Sequence, residues 1–314
     1  MMDVALYNSS DQVEWNVFVS NAKNSHFMFH RDYIEYHGDR FTDFSLVVRS
    51  EKGEVIAIIP ANISNRTLHS HQGLSFGGLC VKKNATIHSV LDIFDSIINF
   101  LKSTNLVDDF IYKRLPDFYT SYPSQEDLYA LFKVGAKLYR RDASVAIDLR
   151  RPLPMSSMRK RHVKKAVKNN VLFCEDENLS EFWLLLTDVL RSKYGVGPVH
   201  SLSEMNKLRK SFPGNIKCFT ARKDGVVIAG TLVYETADVV HTQYLASGVS
   251  GRELGGLDFV ILELIQKYSS IKSYFDFGIS TEEEGTVINE GLISQKEGFG
   301  ARTLVHDFFR LSLV

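Results

Sequence analysis

One pattern of residues occurs twice along this 314-residue chain, and it limits the folds that the chain can adopt. The two segments are FSLVVRSEKGEVIAIIPANI at 44–63 and IKCFTARKDGVVIAGTLVYE at 216–235. Each has an apolar run, a charged turn that closes on Gly53 or Gly225, and a second apolar run that includes Val-Ile-Ala. Glycine adopts a positive φ without steric cost, so each segment predicts a β-hairpin.

The predicted elements that follow each hairpin also occur in the same order. A third strand is predicted at 74–81 and 239–246, a helix at 86–103 and 257–268, and a closing strand at 109–113 and 273–277. Common α/β units can recur by chance, but an order this long with matching turns favours duplication. The pattern predicts an α/β (α+β) protein with two similar domains, each a mixed twisted sheet flanked by helices.

The boundary between the domains is predicted at 150–157, RRPLPMSS, because its two prolines interrupt regular structure. A chain of this length accommodates two hydrophobic cores. We therefore expect one domain at 1–150 and a second at 151–314.

Composition excludes several classes of function. Lys+Arg and Asp+Glu both number 37, and this balance argues against a dedicated nucleic-acid binder. The cysteines, Cys80, Cys174 and Cys218, lack the spacing of metal ligands, which predicts reduced thiols and no metal site. The first residues lack a signal-peptide pattern, and no apolar run approaches the roughly 20 residues that span a bilayer. We expect a cytoplasmic protein without membrane contact.

Three stretches carry a resemblance to a known fold: MRKRHVKKAVKNNV at 158–171, YFDFGI at 274–279 and KEGFG at 296–300. They resemble the GNAT acyltransferases, specifically the tandem-GNAT proteins of the Fem-type lineage, over nearly the whole chain. The resemblance implies two tandem GNAT-like domains. It also implies a splayed central strand whose following loop and helix receive coenzyme A, with acyl-CoA as co-substrate and no metal.

A narrower resemblance concerns the segments at 26–47, 70–79 and 288–308. They are similar to bacterial sugar N-acyltransferases of O-antigen, capsule or lipopolysaccharide biosynthesis. This implies transfer of an acetyl or 3-hydroxybutanoyl group from coenzyme A to the amino group of a dTDP-linked 3-amino-3,6-dideoxyhexose. The partners would be a nucleotide sugar and acyl-CoA, with no nucleic acid, and the protein a monomer or homodimer.

The glycine-rich segment at 247–256 departs from the usual GNAT register, but its chemistry suits a phosphate. Glycines let backbone N–H groups approach an anion, and the next helix adds its positive N-terminal dipole. An ordinary glycine-rich turn is the other interpretation. The expected cofactor-binding residues are Gln243, Ser247, Gly248, Gly251, Arg252, Gly255, Gly256 and Lys296.

Acyl transfer to an amine needs a proton acceptor and a polarised carbonyl. We expect His241 or Asp276 to accept the proton and Glu290 to orient the amine. Strand alternation predicts His241 and Gln243 on one sheet face and Tyr244 on the other. The expected substrate-binding residues are His30, Arg31, Tyr33, Arg40, His71, Gln72, Tyr244 and Asn289.

Arginines beside aromatic rings near residues 26–40 suggest that the first domain binds a nucleotide diphosphate. A histidine metal site in this stretch is the alternative, but it has no fixed carboxylates.

Two other functions stay open. One is a Fem-type aminoacyl-tRNA-dependent transferase that extends a peptidoglycan precursor. Its relatives commonly carry a long helical arm, for which this chain has no spare segment. The other is a non-catalytic GNAT-like binding protein. The six Lys/Arg residues at 159–168 are a solvated face, a phosphate contact or a tRNA contact.

Overall fold

The protein is described from a computed structural model that covers residues 2–314. Its contacts divide the chain into two compact units. Unit 1 holds Met1–Asp142, Glu283–Thr286 and Val305–Val314, and unit 2 holds Ala143–Glu282 and Val287–Leu304. Both are mixed α/β structures, which confirms the predicted fold class. The predicted domains, 1–150 and 151–314, differ from these units at 143–150, which belongs to unit 2, and at 283–286 and 305–314, which belong to unit 1.

The elements of unit 1 alternate between short strands and helices. In chain order they are β1 (Asp3–Leu6), α1 (Gln12–Asn21), α2 (Arg31–Ile34), β2 (Thr42–Asp43), β3 (Leu46–Arg49), β4 (Val55–Ile59), β5 (Asn62–Ser64), β6 (Thr67–His69), β7 (Cys80–Val81), α3 (Ile87–Thr104), β8 (Asp109–Lys113), α4 (Glu126–Lys133) and the first part of β9 (Lys137–Asp148). The order β1-β3-β4-β7 forms one sheet, and β8, β6, β5 and β2 are neighbours in another.

Unit 2 contains the longer strands. Its elements are α5 (Ser157–Lys168), β10 (Leu172–Asp176), α6 (Ser180–Tyr194), α7 (Leu202–Ser211), β11 (Ile216–Lys223), β12 (Val226–Glu235), β13 (Val239–Ser247), α8 (Val249–Leu254), α9 (Gly256–Tyr268), β14 (Tyr274–Ile279), β15 (Thr281–Glu282), β16 (Val287–Ile288) and α10 (Glu290–Glu297). The last strand, β17 (Arg302–Ser312), follows α10. The order β10-β11-β12-β13-β14-β9 forms the sheet of this unit.

One face of the unit 2 sheet packs on α5 and α9. Val145 and Ile147 of β9, Val233 of β12, and Phe275 and Phe277 of β14 lie in this core. Residues of α9 that are fully or almost fully buried complete it, among them Val260, Ile261 and Leu264. We call this the α9 face. The opposite side of the sheet, which packs on α6 through contacts such as Gly230 with Phe182, is the α6 face.

Both predicted hairpins are present. β3 pairs with β4 and β11 pairs with β12, each in antiparallel register. Gly53 has φ +79° and Gly225 has φ +82°, so each turn uses the left-handed conformation that glycine allows. The predicted helices and closing strands are also present, with ends shifted by at most two residues.

The two copies of the repeat differ at the third strand. In unit 2 it runs over Val239–Ser247, close to the prediction, but in unit 1 only Cys80–Val81 is strand. In unit 1 the closing strand β8 also joins a different sheet from the hairpin, whereas β14 stays in the hairpin's sheet. Within residues 2–314, no helix combines the length and apolar character that crossing a membrane requires.

Candidate active site

Two strands of unit 2 separate at the residues predicted to be catalytic. β13 and β14 run parallel and pair only at Val239–Tyr274, Val240–Phe275 and His241–Asp276. Beyond that point β13 stays paired with β12, while β14 turns away at Gly278, which has φ +73°. The strands therefore open into a gap with His241 and Asp276 at its closed end, as expected for a splayed central strand.

The two predicted catalytic side chains form a hydrogen-bonded pair. His241 Nδ1 lies 2.8 Å from Asp276 Oδ2, and Asp276 is fully buried while the His241 side chain is 17% exposed. Asp276 Oδ1 accepts hydrogen bonds from Gly278 N at 2.9 Å and from the Ser144 hydroxyl at 3.3 Å. A carboxylate held in this way fixes the imidazole with Nδ1–H toward Asp276, which leaves Nε2 as the proton acceptor.

Lys296 supports the backbone next to this pair rather than facing a ligand. Its Nζ donates to Gly278 O at 2.8 Å, Ile279 O at 2.7 Å and Ser280 Oγ at 2.9 Å. Burial lowers the pKa of Lys296 to about 8, an effect that nearby Asp276 opposes. An ammonium has three donors, and all three are engaged here. Lys296 therefore has no free donor for the predicted contact with a cofactor. Its three hydrogen bonds instead hold residues 278–280 in place.

A β-bulge changes which side chains share a sheet face. In the β12–β13 register Thr242 faces Val233 and Tyr244 faces Leu232, so Gln243 is an extra residue on β13. Tyr244 contacts Trp183 of α6, while Leu245 packs in the core on the α9 face.

The consequence is that His241 and Tyr244 both lie on the α6 face. The prediction that they lie on opposite faces was wrong, because alternation fails where a strand gains one residue.

The glycine-rich segment after β13 is largely helical. Residues Val249–Leu254 form α8, with Gly248 as its N-cap. A Cβ on Gly251 would lie 2.1 Å from Ile228 O, and one on Gly255 would lie 2.4 Å from His162 O. These glycines are therefore required for close packing of α8 on β12 and α5. The segment keeps one feature of an anion site, since the first N–H groups of α8 have no partner inside the helix.

The other predicted cofactor-binding residues of this segment differ in their exposure and in their contacts. Arg252 is exposed and donates to Ser247 O at 2.8 Å, and Ser247 Oγ is buried without a hydrogen-bond partner among residues 2–314. Gly256 packs against the side chains of Ile228 and Ala229.

Two predicted residues lie at the start of α10. Asn289 is its N-cap, accepts from Leu292 N at 2.9 Å and donates to Glu282 at 2.7 Å. Glu290 is the exposed first residue of the helix. Its side chain makes no hydrogen bond or ion pair within residues 2–314, so its predicted orienting role has no visible contact to support it.

Unit 1 contains a pocket of about 460 Å³ formed by the segment that precedes β3 and by His71. Its lining includes Arg31, Glu35, His37, Asp39, Arg40, Phe41, Asp43 and His71. Three of the predicted substrate-binding residues, Arg31, Arg40 and His71, are therefore brought together.

Arg31 is buried and already neutralised at this pocket. It donates to Glu35 at 3.1 Å, to Ser45 at 3.2 Å and to Asp43, and it stacks on Tyr7 at 3.7 Å. Arg40 is exposed and lies over the Tyr36 ring at 5.9 Å. Of these two arginines, Arg40 is the one whose charge faces solvent.

His37, one of the charged and aromatic residues at 26–40 that the sequence suggests for the acceptor pocket, also lines this pocket. Its side chain is buried, and neither ring nitrogen has a hydrogen-bond partner of good geometry within residues 2–314. It stacks on His71 with ring centroids 5.0 Å apart and planes 10° from parallel. Burial lowers the pKa of both rings, that of His71 to about 3. The sequence showed His37 only as one of several histidines.

The remaining predicted substrate residues of unit 1 do not line this pocket. His30 caps α2 and lies 3.4 Å from the Ser20 hydroxyl. Tyr33 is buried against Phe27 and Tyr36. Gln72 is exposed and accepts from Asn62 at 2.8 Å. Among residues 2–314, no group of three or more His, Cys, Asp or Glu side chains could hold a metal ion.

Solved structures with the same fold include the following three proteins. FemX matches with a TM-score of 0.68 at 12% identity, covering 99% of this chain and 97% of its own. L-PGS from Bacillus licheniformis matches with a TM-score of 0.64 at 11% identity, over 98% and 93%. A tandem GNAT protein of the clavulanic acid biosynthesis pathway matches with a TM-score of 0.52 at 11% identity, over 100% and 99%. The chain therefore has the tandem GNAT fold in its Fem-like form.

By sequence alone, no family model and no curated protein matches the chain.

Proposed function

We propose that this protein is an N-acyltransferase that moves an acyl group onto an amine, with His241 and Asp276 as the proton-accepting pair. The observation that carries the proposal is the position of this pair at the closed end of the gap between β13 and β14. An amine that attacks a carbonyl must lose a proton, and His241 Nε2 is oriented to take it because Asp276 holds Nδ1.

The donor is proposed to be acyl-CoA, carrying an acetyl or 3-hydroxybutanoyl group. In support, the glycine-rich segment at 247–256 follows β13 directly, where the resemblance to GNAT proteins implies that a loop and helix receive coenzyme A. The protein's own contribution is to hold the donor, orient the amine and accept its proton. The thiolate then leaves as the carbonyl re-forms.

The acceptor is proposed to be the amino group of a dTDP-linked aminodeoxyhexose used in O-antigen or capsule synthesis. In support, the pocket of unit 1 combines aromatic rings with an exposed arginine, Arg40, which suit a base and a phosphate. This assignment rests mainly on the sequence resemblance of residues 26–47 and 70–79.

A second candidate, aminoacyl transfer from tRNA in the Fem manner, is favoured by the surface of α5. Arg159 of this helix pairs with Asp258 at 3.0 Å. The other five cations are exposed and make no ion pair within the part of the chain that the structure describes: Lys160, Arg161, Lys164, Lys165 and Lys168. An unpaired cationic face of this kind suits a polyanionic donor.

A two-arm assay with the purified full-length chain separates the two donors. In one arm, free-thiol release is measured with acetyl-CoA or 3-hydroxybutanoyl-CoA and a panel of dTDP- and UDP-aminosugars. In the other, amino-acid transfer is measured from charged bulk tRNA to a UDP-linked peptidoglycan precursor. We expect thiol release with a dTDP-aminosugar. Transfer in the second arm alone would establish the Fem-type reaction, and no transfer in either arm would contradict N-acyl transfer.

The proposed base is tested by Asp276→Asn, with Asp238→Asn as the control. Asp238 is an exposed carboxylate just before β13, three residues before His241, and its side chain makes no hydrogen bond or ion pair within residues 2–314. We expect Asp276→Asn to lower kcat by about 10²-fold or more, because general-base catalysis is worth about 10²–10⁴-fold. The control should keep wild-type kcat. Wild-type turnover of Asp276→Asn at saturating substrate would remove Asp276 from this role.

A further inference from the structure

A second hydrogen-bonded pair lies on the same sheet face as His241 and Asp276. Tyr244 Oη is 2.6 Å from His200 Nδ1, and the backbone N–H of His200 donates to the same oxygen at 3.4 Å. His200 is buried, and Trp183 packs edge-on against the Tyr244 ring with centroids 5.4 Å apart. The pair is therefore held in place from two sides by residues of unit 2.

The bulge at Gln243 is what brings this pair to the candidate site. Without it, Tyr244 would lie on the α9 face, away from His241. With it, Tyr244 faces Leu232 and His241 faces Tyr234 on neighbouring α6-face positions of β12. At about 3.3 Å per residue, the Cα atoms of His241 and Tyr244 are no more than about 10 Å apart along the strand. Both side chains therefore project from the same face of β13 over one short stretch of the strand.

The hydrogen bonds of Tyr244 determine what its hydroxyl can do. When His200 carries its proton on Nδ1, both the ring and the backbone of His200 donate to Oη. A phenol oxygen accepts two such bonds, and its own hydrogen must then point elsewhere. Burial raises the pKa of Tyr244 to about 12, so the hydroxyl stays protonated at neutral pH. In this tautomer the hydroxyl is a hydrogen-bond donor whose orientation is set by His200.

We propose that the Tyr244 hydroxyl is a catalytic residue that donates a hydrogen bond to the oxyanion of the tetrahedral intermediate, and that His200 is its positioning residue. This inference rests on the proposed function. When the amine adds, a C–N bond forms and the carbonyl π electrons move to oxygen, where Tyr244 stabilises them. When the carbonyl re-forms, the bond to the leaving sulfur or oxygen breaks. The amine proton goes to His241, the leaving group is protonated from solvent, and Tyr244 is unchanged.

The proposal supplies a group that the last helix lacks. The last helix, α10, contains no tyrosine over Glu290–Glu297, so it supplies no phenol donor. Tyr244 donates a hydrogen bond without giving up its proton. An oxyanion donor serves a thioester and an ester equally, so the inference holds for either acyl donor.

The test compares Tyr244→Phe with wild type in whichever arm of the assay shows transfer. We expect kcat to fall about 10²–10³-fold with KM unchanged, the usual result of removing one oxyanion donor. Tyr194→Phe is the matched control, because Tyr194 is an exposed tyrosine of unit 2 at the end of α6, and its kcat should equal that of wild type. His200→Asn should lower kcat by at least tenfold with KM unchanged. Thermal melting of each variant checks that it folds.

A second measurement replaces Tyr244 by 3-fluorotyrosine, which keeps the ring and its packing but is a stronger donor. We expect kcat to rise, a result that a merely structural role would not produce. Tyr244→Phe within twofold of wild type, or a change confined to KM, would overturn the inference while the proposed function stands. Absence of transfer by the wild-type chain would overturn both.

Discussion

At the scale of single residues, the two stacked histidines of the unit 1 pocket are buried at an energetic cost. Burial lowers the pKa of His37, an effect that backbone hydrogen bonds with Ile34 and Gly73 oppose. His71 has φ +66°, a left-handed conformation that costs a non-glycine residue about 1–3 kcal/mol. Costs of this kind concentrate at functional sites, which supports a binding role for this pocket.

These histidines make stability depend on pH in a defined direction. Burial lowers the pKa of His71 to about 3, so between pH 6.5 and 3 the unfolded chain binds a proton that the folded chain does not. The free energy of unfolding therefore falls as pH decreases through this window, by about 1.4 kcal/mol per unit. His37 acts in the same direction.

The variant His71→Asn keeps a residue that tolerates positive φ but removes the titration. We expect it to be less stable than wild type at pH 7.5 but to lose about 2–3 kcal/mol less between pH 6.5 and 4.5. Urea unfolding at several pH values measures this. An unchanged slope would mean that the ring is already protonated in the folded protein.

At the scale of elements, α8 packs closely against β12. Its position depends on Gly251, where a Cβ would lie 2.1 Å from Ile228 O and 2.7 Å from Ser247 Oγ. Both are backbone or short side-chain atoms that cannot move aside independently. The helix itself must therefore shift to accommodate any larger residue.

Accordingly, Gly251→Ala should lower the free energy of unfolding by about 2–3 kcal/mol, the usual cost of overpacking. The control is Gly214→Ala, since a Cβ on Gly214 would meet no atom within 4 Å, and its stability should stay within about 0.5 kcal/mol of wild type. Chemical denaturation followed by tryptophan fluorescence measures both. Wild-type stability with loss of acetyl-CoA binding would show instead that Gly251 serves the ligand.

Helices and strands were predictable from sequence where the residues that specify them are close neighbours in the chain. The hairpins follow from the positions of Gly53 and Gly225, and α3 follows from its apolar spacing. The bulge at Gln243 was not predictable, because it depends on the register between β12 and β13 rather than on either strand alone. The pairing of His241 with Asp276 was only partly predictable, since the residues were identified but their parallel register was not. The stacking of His37 on His71 was not predictable, because it joins residues that are far apart in the sequence.

At the scale of the whole molecule, the order of the chain does not follow the two units. The chain leaves unit 1 after Asp142, forms unit 2, and returns to unit 1 first for Glu283–Thr286 and finally for Val305–Val314. Within unit 1, β17 pairs with β8 from Phe308–Lys113 to Ser312–Asp109, and Arg310 pairs with Asp109 at 2.7 Å. Leu311 and Leu313 lie in the same core as Phe110 and Leu131. Unit 1 is therefore incomplete without the C-terminal residues.

A fragment of residues 1–150 should consequently fail to fold, although it covers the whole first domain predicted from sequence. It loses the burial of Phe308, Leu311 and Leu313, together worth about 5–9 kcal/mol, which is comparable with the total stability of an ordinary domain. It also exposes the edge of β8. We expect a fragment without a cooperative thermal transition or near-ultraviolet circular dichroism.

The control joins residues 301–314 to the fragment through a flexible glycine-serine linker, which should restore both signals because it restores the missing strand. Cooperative unfolding of the 1–150 fragment by itself would show that the last strand is dispensable to unit 1.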